Sequence, residues 1–180
     1  EDGSGNYPYT MIPNPFQVRP KYSSSKGESH SGTRSDNVLL TENFDAMSSI
    51  ATTYSSTGWY AYKATNANNW TLYDESEYAH SGSNSVGYFY NSYYAADCYL
   101  VSAPFTVSAD MTDLSVSLYE RVHQSSYAET FEVFFVKASD VTSSSQVATA
   151  TKYSAIASAS YTNTTYAKKT GSTTNSALAG

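Results

Sequence analysis

Two long runs of alternating apolar and polar residues dominate the second half of the chain. From Leu114 to Val122, the residues Leu114, Val116, Leu118 and Val122 share one parity, and Ser115, Ser117, Tyr119 and Arg121 share the other. From Thr130 to Ala138, Phe131, Val133 and Phe135 alternate with Glu132, Phe134 and Val136. Successive side chains of a strand point to opposite faces, so such alternation marks half-buried β-strands. The second run is apolar on both faces in its middle, which predicts a central strand beneath a second layer. The polar stretch Arg121–Glu129 between them is too long for a tight turn, so the pair reads as a long-looped hairpin. A third apolar run, Asp97–Val107, leads into it.

Shorter strand signals precede these runs: Val38–Phe44, Gly58–Tyr62, Asn69–Tyr73 and Ser85–Tyr90. Asp45–Ser56, Asn66–Asn68 and His80–Asn84 separate them as polar connections and turns. Short strands with turn signals roughly ten residues apart predict a sandwich or jelly roll. Residues 1–37 lack periodicity and hold Pro8, Pro13, Pro15 and Pro20, which predicts an extended, irregular arm. Its Tyr7, Tyr9, Met11, Ile12, Phe16 and Val18 are too apolar for a free linker, so it is expected to lie along a surface of its own domain or of a partner. Ser23–Asp36 reads as a flexible loop. After Asp140 the pattern weakens to one short strand at Gln146–Ala150, then an Ala/Ser/Thr-rich stretch from Ala155. The expected organisation is an arm over 1–37, a β-sandwich over 38–170 (clearest over 38–140) and a flexible end over 171–180.

Composition supports an all-β, extracellular reading. One domain is expected of 180 residues. Only 14% are charged, while 18 Tyr and many Ser, Thr and Asn suit pleated surfaces and turns. A net charge of −6 and a pI near 4.9 exclude a nucleic-acid partner, which needs a basic face. The single cysteine, Cys98, excludes an internal disulfide and reads as a small buried thiol before an apolar strand. No run reaches the roughly 18 apolar residues of a transmembrane helix, so no transmembrane segment is expected. The opening Glu1-Asp2-Gly3-Ser4-Gly5 carries no signal-peptide pattern and reads as a mature or trimmed start.

Taken in order, Glu42-Asn43-Phe44-Asp45, Gly58-Trp59, Asn69-Trp70, His80-Ser81-Gly82-Ser83-Asn84-Ser85, Tyr99-Leu100-Val101-Ser102-Ala103-Pro104 and the Leu114–Val136 pair resemble the cleaved-adhesin family, also called choice-of-anchor J domains. These occur on surface and secreted proteins of Bacteroidota, including the adhesin modules of gingipains. The resemblance covers roughly residues 38–140. It implies a jelly-roll β-sandwich, galactose-binding-like or MAM-like, without a catalytic centre and with a role in adhesion or carbohydrate binding. The family's two closing strands have no counterpart after Tyr166. That leaves three alternatives: truncation, divergence, or another segment completing the sheet.

Trp59 and Trp70 are candidates for stacking on a glycan, with structural packing as the alternative. Tyr88, Tyr90, Tyr93 and Tyr94 form a denser aromatic group, and tyrosines on a loop bind through large contact area at small entropy cost. Glu42 and Asp45 sit where related jelly rolls hold a structural Ca²⁺, which takes six to eight oxygens. Asp74, Glu75 and Glu77 form the densest acidic group and read chiefly as a solvated loop. A glycosidase would need two facing carboxylates, for which Glu129/Glu132 and Asp74/Glu77 are the choices. Ser/His/Asp chemistry has only His30, His80 and His123, without a Gly-x-Ser-x-Gly elbow. No enzyme is expected. The expected role is adhesion or glycan binding at a cell surface, with a glycan or a surface or host protein as partner. The setting is the extracellular face of the outer membrane, as a lipoprotein whose lipidated Cys precedes Glu1, or secretion. The alternative is a structural or accessory subunit of a larger outer-membrane assembly, docking on other outer-membrane proteins through the arm or an open sheet edge.

Overall fold

The first alternating run is the axis of the molecule. The computed structural model describes residues 9–12, 16–22, 38–108 and 111–174. Its strands, in chain order, are Tyr9–Ile12 (β1), Phe16–Tyr22 (β2), Leu40–Glu42 (β3), Tyr60–Lys63 (β4), Trp70–Tyr73 (β5), Ser85–Phe89 (β6), Cys98–Val101 (β7), Met111–Val122 (β8), Glu129–Phe135 (β9), Tyr153–Tyr161 (β10) and Ala167–Thr173 (β11). Helical structure among these residues is confined to short 3₁₀ turns. Every pairing between strands is antiparallel.

One edge of β8 carries β2 and then β1, with Val18 opposite Val116 and Thr10 opposite Val122. The other edge carries β11, from Thr173 opposite Leu114 to Ala167 opposite Glu120. Outward from β1 lie β6 and β5, and outward from β2 lies β3, giving a seven-stranded sheet. Two separate pairs, β4–β7 and β9–β10, cover one of its faces. Leu114, Val116 and Leu118 of β8 and Val18 of β2 pack there against Phe135 of β9 and Ile156 of β10. A second cluster joins Phe44, Trp59 and Val86. The protein is therefore all-β and sandwich-like in its packing.

Five expectations are corrected by this arrangement. The stretch read as an irregular arm contributes β1 and β2 to the middle of the large sheet. Proline did not prevent this: Pro13 and Pro15 fall between the two strands, outside the described residues. Pro20 takes the parity of Val18, whose carbonyl accepts from Leu39 N–H on the β3 side. Its ring nitrogen thus faces the edge beyond the β2–β3 pairing, where no donor is required. The expected hairpin is absent as well, because β8 and β9 belong to different sheets. Alternation reports which faces are buried and is silent about partners. In consequence β9, expected to be central, pairs among the described residues only with β10.

The Ala/Ser/Thr-rich end forms β10 and β11, which cross so closely at Gly171 that a Cβ there would collide with the Ala155 carbonyl. Small residues are what such a crossing needs, so the absence of apolar alternation carried the signal. Gln146–Ala150, expected as a strand, lies in a 3₁₀ turn spanning Ser144–Ala148. Gln146 Oε1 accepts from the N–H groups of Thr142 (2.7 Å) and Ser143 (2.8 Å), the reciprocal half of a Ser-x-x-Gln capping box.

Candidate functional site

Two adjoining concavities make the candidate site. The first lies between the β6–β7 loop and the β8–β9 loop. Asn68 Nδ2 donates to the carbonyls of Phe89 and Tyr90, both at 2.9 Å, which fixes the start of the β6–β7 loop. Asn91 Oδ1 accepts from Tyr93 N–H (2.9 Å) and Tyr94 N–H (3.1 Å) and folds its tip. Thr65 Oγ1 donates to the Ala95 carbonyl, and Ala64 N–H to that of Asp97, closing the far end. The loop is thereby held while its rings stay in solvent: Tyr93 is 88% exposed, Tyr94 49% and Tyr90 42%. Across a groove of about 540 Å³ stands Tyr127, 54% exposed, from the β8–β9 loop. Rings already fixed in place lose little freedom when they bind.

The second concavity is a cleft of about 750 Å³ between the large sheet and the two covering pairs. That size suits a small-molecule or peptide site. Its floor includes Val18, Leu114 and Leu118, and its walls are residues 96–105 on one side and 129–139 on the other. Tyr88, Ala96 and Glu129 border both concavities, so the groove leads into the cleft. Burial raises the Glu129 carboxyl above its usual value at this junction. Burial, reinforced by Asp97 and Glu129, pushes the Cys98 thiol up to about 12, so it stays protonated and a poor nucleophile. Tyr60 and Trp70 also line the cleft, and Tyr60 Oη and Trp70 Nε1 are buried without a hydrogen-bond partner among the described residues.

The six aromatic candidates separate into two groups. Tyr90, Tyr93 and Tyr94 are on the groove. Trp59 is 8% exposed and packs edge-on to Phe16 and Phe44, at ring distances of 5.4 and 5.2 Å. Tyr88 is buried, and Trp70 meets it edge-on at 6.2 Å. These three border the cleft from within rather than offering a face to solvent.

Glu42 and Asp45 hold a loop together. Glu42 Oε1 accepts from Asn43 N–H (2.9 Å) and Phe44 N–H (2.7 Å), pinning Phe44 at φ 59° while its ring is fully buried. Asp45 Oδ1 accepts from the N–H groups of Ser83 (2.8 Å) and Asn84 (2.9 Å), bonds that hold its pKa below the usual carboxylate value. Gly82, at φ 74°, lies against that carboxylate so closely that a Cβ would strike it. Among the described residues, no three His, Cys, Asp or Glu side chains are grouped to hold a metal ion. Glu129 and Glu132 fall on opposite faces of β9, and Glu132 is ion-paired with Lys152 at 2.9 Å, so they are not a facing pair. His80 is stacked on Tyr119 with ring centres 3.7 Å apart.

Three features were not anticipated. Tyr127 is a lone aromatic in a polar loop. The cleft depends on strand partners that a sequence does not display. Glu120, fully buried, occupies the apolar parity of β8 between Leu118 and Val122. The Lys169 ammonium stands 3.2 Å from Glu120 Oε1, yet among the described residues neither carboxylate oxygen has a well-aligned donor, so charge rather than directed hydrogen bonding holds it.

No family model matches the chain, and no curated protein or solved structure is significantly similar to it. No helix among the described residues is long and apolar enough to cross a membrane.

Proposed function

We propose that this chain is a non-catalytic module of cell-surface adhesion or glycan capture, a jelly-roll sandwich of the cleaved-adhesin type, with the tyrosine groove as its binding face. A surface setting, as an outer-membrane lipoprotein or a secreted protein, accompanies this reading. One observation carries it: Tyr90, Tyr93, Tyr94 and Tyr127 stand exposed on two opposed loops over a scaffold that fixes their backbones. A phenol ring offers a flat apolar face to the C–H side of a sugar and a hydroxyl to its polar rim. The test is a glycan array on the whole chain. Binding that falls at least tenfold in Tyr93→Ala/Tyr94→Ala and in Tyr127→Ala, with folding intact, supports the reading. Binding indifferent to these changes, or none, overturns it. A second reading, a subunit of a larger surface assembly, draws on the unpaired strand edges beside the cleft.

A further inference from the structure

We infer that the cleft is a vacant strand position that accepts an extended segment of another polypeptide, completing the covering layer. This deepens the assembly reading and stands apart from glycan capture. Among the described residues, β7 pairs only with β4 and β9 only with β10, so each keeps one unpaired edge. Both strands line the cleft. Residues 96–105 and 129–139 line the cleft without interruption, as strand edges do and alternating faces do not.

Direction fits one inserted strand, and separation excludes direct pairing. Cys98 lies near Glu129, Tyr99 meets Phe134 edge-on at 6.4 Å, and Phe105 meets Phe135 at 6.1 Å. Chain order along the two walls is therefore the same, from Cys98 and Glu129 at one end to Phe105 and Phe135 at the other, with Tyr99 reaching forward to Phe134. Joined directly, they would make a parallel pair in a protein whose other strand pairs are all antiparallel. One inserted strand, antiparallel to both, restores the pattern throughout. The Cα atoms of β7 and β9 are almost everywhere more than 8 Å apart. Adjacent strands run roughly 4.8 Å apart, so β7 and β9 are too far apart to pair with each other.

The walls define the occupant. Strand β9 is apolar on both faces, with Phe131 and Val133 on one and Phe134 on the other, which suits an interior strand and is a liability at an edge. The floor of Val18, Leu114 and Leu118 requires apolar side chains at every second residue of the guest. The seven residues of β9 set its length at about seven. Charge sets its polarity: Asp97 and Glu129 flank the end where β7 and β9 begin, and Lys137 stands beyond Phe135 at the other. An antiparallel guest thus starts with an acidic residue near Lys137 and ends with a basic one near Glu129. Lys152 is the outer latch, its ammonium 4.4 Å from the Phe134 ring and 5.4 Å from the Tyr99 ring. This is recognition by strand addition, in which main-chain hydrogen bonds give affinity and alternate side chains give specificity.

The test uses the whole chain and a set of eight-residue peptides with Val, Ile, Leu or Phe at alternate positions and Thr between, beginning with Asp and ending with Lys. Amide hydrogen exchange of β7 and β9 is followed. At a hundred times its Kd, a peptide that occupies the cleft slows exchange in both strands by up to roughly 100-fold, in proportion to 1 + [L]/Kd. Charge-reversed peptides bind more weakly, and Lys152→Ala speeds association. Tyr93→Ala/Tyr94→Ala leaves the protection unchanged, which keeps this result separate from the glycan reading. No protection by any peptide overturns the inference. So does protection of only one of the two strands, or protection equalled by oleate, which would make the cleft an apolar pocket indifferent to backbone.

Discussion

The seven-stranded sheet and the layer covering it obey the same physics with opposite results. In the first, β8 is paired along both edges, and its buried row runs from Leu114 through Val116, Leu118 and Glu120 to Val122. In the second, strands that include the apolar β9 are divided into two pairs around a cleft. Hydrophobic content alone therefore does not close a layer. What differs is whether each strand edge has a neighbour. The paired sheet is closed along the whole of its central strand, and the divided layer leaves the cleft open.

The contrast is most directly broken by large-to-small substitution. Leu118→Ala, in the fully buried row, is expected to cost about 2–5 kcal/mol in urea denaturation. Val133→Ala, on the cleft wall, should cost roughly 1 kcal/mol. Equal losses would mean that the cleft is packed as tightly as the core. Next in size is Lys169→Ala, which leaves Glu120 buried without its counter-charge and should cost toward the lower end of roughly 3–5 kcal/mol, since the lysine is partly exposed. Replacing Glu120 and Lys169 together by leucine should recover most of that loss. Recovery would show that the pair is tolerated rather than required. Gly171→Ala, which drives a Cβ into the Ala155 carbonyl, is expected to cost about 1–3 kcal/mol.

The smallest effect sharpens the comparison at the mouth of the cleft. Burial raises the Glu129 carboxyl above the usual carboxylate value, so the folded state holds that proton more tightly than the unfolded chain does. Ionisation then opposes folding as pH rises past the raised value, and the penalty is absent below the unfolded one. Glu129→Gln should therefore raise the melting temperature at pH 7 by at most about 2–4 °C, and leave it unchanged near pH 4. A gain of the same size at both pH values would place its cause elsewhere than in the carboxylate charge.

What could be read in the sequence follows from which forces leave a local trace. The parity of Leu114, Val116 and Leu118 identified the buried face of β8 because that face is set within the strand itself. Trp70–Tyr73 and Ser85–Phe89 were found where turn residues bounded them. Partners left no such trace. The hairpin assigned to β8 and β9 does not exist, and β1 and β2 passed for an arm because prolines surround them. β11 hid in a polar run without apolar alternation, and passes β10 closely at Gly171. Of the site, the exposure of Tyr93 and Tyr94 on a loop was readable from the tyrosine cluster. The apposition of Tyr127, and the cleft behind it, arise from strand order and could not be.

The central place of the first strands sets the order in which this protein can be completed. Thr10 lies opposite Val122, and Val18 opposite Val116, with β6 closing β1 from the other side. As the chain is made, β2 can meet β3 and β1 can meet β6 early, but the edges that β8 joins stay open until Met111–Val122 has followed. The large sheet is thus closed late. Its cooperative unit spans nearly the whole chain, so refolding is expected to be slow and a chain ending before Met111 to lack the strand that joins β2–β3 to β1–β6–β5.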